Sequence, residues 1–166
     1  MATRVQTLED HALYDQAGRP VKLSSMFGRH DYLVILHNMG RHCPNCALWG
    51  DEFDGMLRHL EKVAGFCVVG PDDPETQAAY LKERGWRCRL YSARGTSFIR
   101  DLGFEGEDGK AQPGVSIVRR DHGTLALVKQ VNVMRDKNCP SVLEVFWMLP
   151  DVKTSDIAWA RASSAR

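Results

Sequence analysis

Cys43 and Cys46, with Pro44 and Asn45 between them, are the residues of this chain whose types and spacing can do chemistry. Disulfide exchange needs a thiolate that attacks a sulfur and a second thiol that can reach the resulting mixed disulfide. A C-x-x-C pair meets both needs, and it would equally supply half of a zinc site. Zinc would want two further paired ligands, and the chain contains no second C-x-x-C and no H-x-x-x-H. No metal and no organic cofactor is therefore expected. Cys67, Cys88 and Cys139 stand alone, and five unevenly spaced cysteines make no disulfide framework of the small secreted kind.

The elements around the pair must hold it at a helix start. Tyr32 to Leu36 is a continuous apolar run of strand-forming residues, as expected of a central strand covered on both faces. Beyond the cysteines, Trp49, Phe53, Met56, Leu57, Leu60 and Val63 recur at three- and four-residue steps and predict one long helix with a single apolar face. Pro44 suits the first helical turn, where its missing N–H costs nothing. Gly50 and Gly55 each cost about 1 kcal/mol inside a helix and mark close backbone packing. Cys43 then faces unpaired backbone N–H groups and the positive end of the helix dipole, which favour its thiolate. Arg41 and a protonated His42 would add to that field. Cys46, one turn inward, is the expected shielded partner. Asp51, Glu52 and Asp54 are expected on the solvated face of the helix.

Downstream, Phe66 to Val69 predicts a second buried strand. Asp73-Pro74-Glu75 opens a helix that Gly85 closes. Arg89 to Tyr91 forms a short strand, and Thr96 or Ser97 caps a short helix running to Leu102. Phe104 to Gln112 is a glycine-rich charged loop leading to Pro113. Val115 to Val118 and Leu125 to Val128 make a hairpin across Asp121-His122-Gly123-Thr124. Pro140 opens a last helix with an apolar face of Val142, Leu143, Phe146 and Leu149, ended by Pro150. Upstream, Asp15 to Pro20 turns between two short strand-like pieces. The fold class is α/β: a mixed sheet of central parallel strands plus a C-terminal antiparallel hairpin, with helices on both faces. Residues 1–150 are expected to be one domain with an N-terminal hairpin extension. Residues 151–166 are expected to be a peripheral tail, frayed at 162–166.

Composition excludes several classes. With 166 residues and 18.7 kDa there is room for one domain and little more. Lys plus Arg number 22 against 21 Asp plus Glu, a net charge of +1, which argues against a nucleic-acid binder. No run approaches the ~18 apolar residues of a membrane span. Met1 to Asp10 is too polar for a signal peptide, so the expected compartment is the cytoplasm, with no membrane partner.

The C-x-x-C between strand and helix, with Pro113 isolated just before a strand, resembles the thioredoxin superfamily. Leu36-His37-Asn38-Met39, Cys43 to Gly55, Arg84-Gly85-Trp86, Pro113 to Ser116 and Cys139 to Pro150 more narrowly resemble a bacterial thioredoxin-like family described as predicted dithiol-disulfide oxidoreductases. The resemblance covers most of the chain from Tyr32 to Pro150. It implies a thioredoxin-like fold and a thiol–disulfide oxidoreductase acting on protein or small-molecule disulfides, with Cys43 as nucleophile and Cys46 as resolving thiol. It makes Pro113 a cis-proline that holds substrate beside the pair, with His42 and Pro44 at the same mouth. His37 falls where thioredoxins place a buried acid, so it is either a proton shuttle for Cys46 or a hydrogen-bonded core histidine. His42 stands where thioredoxins have tryptophan, a departure that bears on potential and partner choice.

Rival readings remain on the same fold. A peroxiredoxin would want proline seven and threonine three residues before its peroxidatic cysteine. Counting back gives Leu36 and Gly40 from Cys43, and Met39 and Cys43 from Cys46. A metal carrier or a redox-inert scaffold are the non-enzymatic alternatives, and a homodimer is an open alternative to a monomer. Cys67 is expected to be inert core, Cys88 an edge-strand residue, and Cys139 a helix-capping thiol of lowered pKa that could assist the pair.

Overall fold

The computed structural model describes residues 5–153. The tail beyond Lys153, with the frayed end expected at 162–166, lies outside the described residues. Among the described residues, eight strands form one sheet: β1 (Gln6–Leu8), β2 (Ala12–Tyr14), β3 (Pro20–Lys22), β4 (Tyr32–His37), β5 (Gly65–Gly70), β6 (Arg89–Ser92), β7 (Gly114–Asp121) and β8 (Thr124–Asn132). Among the described residues six α-helices accompany them, besides a 3-10 turn at Leu23–Ser25: α1 (Pro44–Gly55), α2 (Leu57–Leu60), α3 (Pro74–Arg84), α4 (Phe98–Asp101), α5 (Val133–Asp136) and α6 (Val142–Met148). The strand order is β1-β8-β7-β4-β5-β6-β2-β3. β4, β5 and β6 run parallel, as the intervening helices require. β7 lies antiparallel to β4, and β8 antiparallel to β7. This is the mixed α/β sheet of the thioredoxin-like fold.

Strand alternation divides the core in two. Val34, Leu36, Phe66 and Val68 face α1, α3 and α6, meeting Phe53, Tyr80, Val145 and Phe146. Leu33, Ile35, Cys67 and Val69 face the other way, onto Phe27, Phe98 and Phe104. The hairpin turn expected at Asp121–Thr124 forms with both central residues, His122 and Gly123, in the left-handed region. α3 begins at an Asp73 cap and ends at left-handed Gly85, as the sequence predicts.

Other elements differ from expectation for local reasons. The long helix breaks at Met56, where Gly55 weakens it, and Met56 leaves the buried face. Gly50 earns its place: a Cβ there would stand 2.3 Å from Trp86 Cζ2. The acidic residues of α1 are not simply solvated. Asp54 is buried and accepts from the backbone N–H groups of Arg87 and Cys88 at 2.7 and 2.9 Å. Asp51 holds Arg84 and the Trp86 indole N–H, and Glu52 accepts from Val142 N–H at 2.9 Å. α6 is opened by a Ser141–Glu144 capping box rather than by Pro140 or Cys139. Its buried face is Val142, Val145, Phe146 and Leu149, while Leu143 is exposed.

Candidate active site

The cysteines sit where the carboxyl end of β4 passes into α1, outside the parallel strands of the sheet, a recurrent position for sites in α/β folds. Asn38 and Gly40 shape the approach. Asn38 Oδ1 accepts from Gly40 N–H at 2.7 Å, and Gly40, at φ +111°, presses against Asp72, which takes the Arg41 N–H at 2.6 Å. The chain then enters α1 with Cys43 as N-cap and Pro44 as the first helical residue.

Cys43 is half-buried, and its Sγ accepts the Cys46 backbone N–H at 3.2 Å, one of the orphan donors of the helix start. That contact holds Cys43 Sγ at the amino end of the helix, where the backbone N–H groups point outward. Cys46 is buried below it, and both are free thiols. Burial, and behind it the hydrogen bond to Cys43, push the Cys46 thiol up to about 12. The two sulfurs are thus unlike: one accessible at the cap, one shielded and held protonated through the neutral range.

A groove of about 320 Å³ opens onto the pair. Cys43, Cys46, Trp49, Pro113, Met134 and Cys139 line it. The register of His37 opposite Gly114 puts Pro113 at this end of the sheet, so the expected proline wall is present. Its peptide bond is trans, however, since no described peptide bond is cis. The trans form of X–Pro is favoured by about 0.5–1 kcal/mol, and here the Pro113 carbonyl is taken by Val133 N–H at 2.9 Å. Gly114 follows because Phe104 and the Val131 carbonyl leave no room for a Cβ.

His37 is not in this groove. It shares the strand parity of Leu33 and Ile35, which sends its ring to the opposite face of the sheet from α1. There it is stacked on Phe104 at 3.6 Å and bonded to Ser116 Oγ at 2.8 Å. Burial pulls its pKa down to about 3. The shuttle expectation is therefore corrected: His37 is a core histidine, neutral near pH 7 and turned away from both thiols. Arg41 likewise gives its guanidinium to Glu83 at 2.6 Å. His42 and Pro44 are exposed at the rim, and His42 lines a neighbouring hollow with Met39, Pro71 and Lys110.

The remaining cysteines separate by burial. Cys67 is sealed in the core and pushed up to about 12 by burial. Cys88 is also buried, its thiol raised by burial and by Asp54. Cys139 is exposed, and its thiol is raised by partial burial and by Glu52 and Glu144, against the expected lowering. Cys139 does line the groove of the pair, as an assisting thiol must, but the contacts that bring it there depend on how α6 docks on α1 and had no signal in the sequence. Trp49 carries that docking, its indole N–H donating to the Pro140 carbonyl at 3.0 Å.

A family model described as a bacterial protein of unknown function (DUF899) matches residues 5–159. No curated protein matches the chain in sequence. Among solved structures, peroxiredoxin Q of Xanthomonas campestris is similar with a TM-score of 0.66 at 15% identity, over 80% of this chain and 87% of that one. The peroxidoxin BcpB of Mycobacterium tuberculosis gives 0.64 at 20% identity, over 82% and 94%. A peroxiredoxin-like protein of Aquifex aeolicus gives 0.64 at 16%, over 87% and 82%. The likeness is one of fold, and it places this chain on the thioredoxin-like scaffold.

Proposed function

The chain belongs to this bacterial family of unknown function, and from its own thiols we propose that it is a thiol-based redox enzyme, a thiol–disulfide oxidoreductase working through Cys43 and Cys46. The observation that carries the reading is the asymmetry of the pair: Cys43 Sγ at the helix cap accepting the Cys46 N–H, with Cys46 buried one turn below. In the reducing direction the Cys43 thiolate attacks one sulfur of a substrate disulfide. A Cys43–substrate disulfide forms, and the other substrate sulfur leaves as thiolate. Cys46 gives up its proton to solvent and attacks Cys43 Sγ, breaking the Cys43–substrate bond, releasing the second substrate thiolate and leaving a Cys43–Cys46 disulfide. Two electrons pass from the pair to the substrate. The groove bounded by Trp49, Pro113 and Met134 would seat the apolar surroundings of that disulfide, while the exposed His42 and Pro44 flank Cys43 in the chain and would meet the substrate outside the groove.

A redox titration in defined thiol buffers, with mass spectrometry of the paired cysteines, tests this. A reversible Cys43–Cys46 disulfide is expected; a pair that never oxidises reversibly overturns the reading.

The fold shared with peroxiredoxins supports a second reading, in which Cys43 attacks a peroxide oxygen. The sulfenic acid on Cys43 would then condense with Cys46, losing water to give the same disulfide. Leu36 and Gly40 stand where that chemistry is expected to want proline and threonine, which weighs against it. Peroxide consumption driven by dithiothreitol, compared with disulfide reduction driven by the same thiol, separates the two.

A further inference from the structure

Cys139 is set into the thiol groove by contacts made from α1 itself. Trp49, one helical turn beyond Cys46, bonds the Pro140 carbonyl, and Glu52, one turn further, bonds the Val142 N–H. These two ties fix the start of α6 against the face of α1 that carries Cys46. Cys139, next to Pro140, then lines the same cavity as Cys43 and Cys46. A charge on Cys139 opposes a charge on Cys46, so the two sulfurs act on each other electrostatically. The cap of α6 belongs to Ser141, with Glu144 closing the box. Cys139 thus has no part in starting that helix. Unlike Cys67 and Cys88 it is exposed, on the connection between α5 and α6.

We propose that Cys139 is a third exchange thiol of this groove, which takes over the disulfide from the oxidised Cys43–Cys46 pair. The proposal rests on the reading of Cys43 and Cys46 as a redox couple. The Cys139 thiol loses its proton to solvent, and its thiolate attacks Cys46 Sγ. The Cys46–Cys139 bond forms as the Cys43–Cys46 bond breaks, and the electron pair leaves on Cys43 Sγ. No net oxidation occurs, so no further reagent is needed. Cys43 returns to the mouth as a thiolate while the oxidising equivalent waits on the inner pair. Glu52 and Glu144, the carboxylates that face Cys139, disfavour its thiolate, so the transfer is slow at rest and faster in alkali.

The test uses the whole chain, wild type and Cys139→Ser, oxidised with one equivalent of diamide, quenched in acid, alkylated and mapped without reduction. The expected wild-type result is a Cys46–Cys139 species making up at least about a tenth of the one-disulfide pool, with Cys43 alkylated in that species. A tenth corresponds to an isomer no more than ~1.4 kcal/mol above the commoner one. In Cys139→Ser only Cys43–Cys46 should form, and far-UV circular dichroism confirms that the variant is folded. Cys43–Cys46 alone in the wild type, with Cys139 always alkylated, overturns the proposal and leaves the couple standing. Absence of any Cys43–Cys46 disulfide in both proteins overturns the couple itself.

Discussion

At the scale of single residues, what separates Cys43 from Cys46 is one turn of helix and the burial that comes with it. Replacing Cys46 by Ser should leave Cys43 able to attack but unable to release. A substrate disulfide should then stay attached to Cys43, and intact-mass measurement should show an adduct that dithiothreitol removes. Cys43→Ser in a Cys139→Ser background should form no adduct. His37 carries a different consequence. Burial lowers its pKa from the usual 6.5 to about 3, so between those values the unfolded chain holds a proton that the folded chain refuses. Stability is complete above about pH 6.5 and falls as the pH drops towards 3. The slope is at most about 1.4 kcal/mol per pH unit from this group. Urea melts across that window should show a shallower acid loss in His37→Gln than in the wild type; equal slopes would contradict the placement.

At the scale of elements, α1 is held by contacts that its sequence pattern hides. Periodicity shows which residues are apolar, and it correctly put Trp49 and Phe53 inside. It does not show what a neighbouring element brings, so Asp51, Glu52 and Asp54 read as a solvated face. In fact they tie α1 to Trp86, to the backbone before β6 and to the start of α6. Gly50 was legible as a close approach, but its partner Trp86 was not, because the contact spans two elements. Gly50→Ala should therefore destabilise. A helix gain of about 1 kcal/mol is set against an overpacking cost of about 1–3 kcal/mol where the new methyl meets the Trp86 ring. A lowered urea midpoint is the expected result. The shuttle reading of His37 failed for a kindred reason, leaving the core histidine that was its alternative. Its distance from Cys43 along the chain matched a known pattern, but the two-residue period of β4 decides the face, and it chose the one away from α1.

At the scale of the whole molecule, the parallel pairing of the central strands and the late antiparallel hairpin were readable from the alternation of strand and helix patterns, while the order of strands across the sheet was not. Nor were the edges. β1 and β3 are three residues long, too short to show a period, and β2 joins the sheet through the single pair Tyr14–Ser92. Hydrogen exchange should accordingly release β2 and β3 well before β4 and β5, whose residues are almost all buried. Pro20 on the outer strand also offers no N–H for another chain to pair with.

The docking of Trp49 has a consequence for how the protein can be watched. Its indole lies in the groove with Cys43, Cys46 and Cys139, tied at its nitrogen and nearly shielded from water. An excited indole is quenched by electron transfer to a nearby disulfide and much less by thiols. The emission of the chain should dim on oxidation, recover on reduction, and lose that response in Trp49→Phe. If the pair is the redox couple proposed, the molecule would carry a built-in optical gauge of its own oxidation, usable without a label or a known substrate.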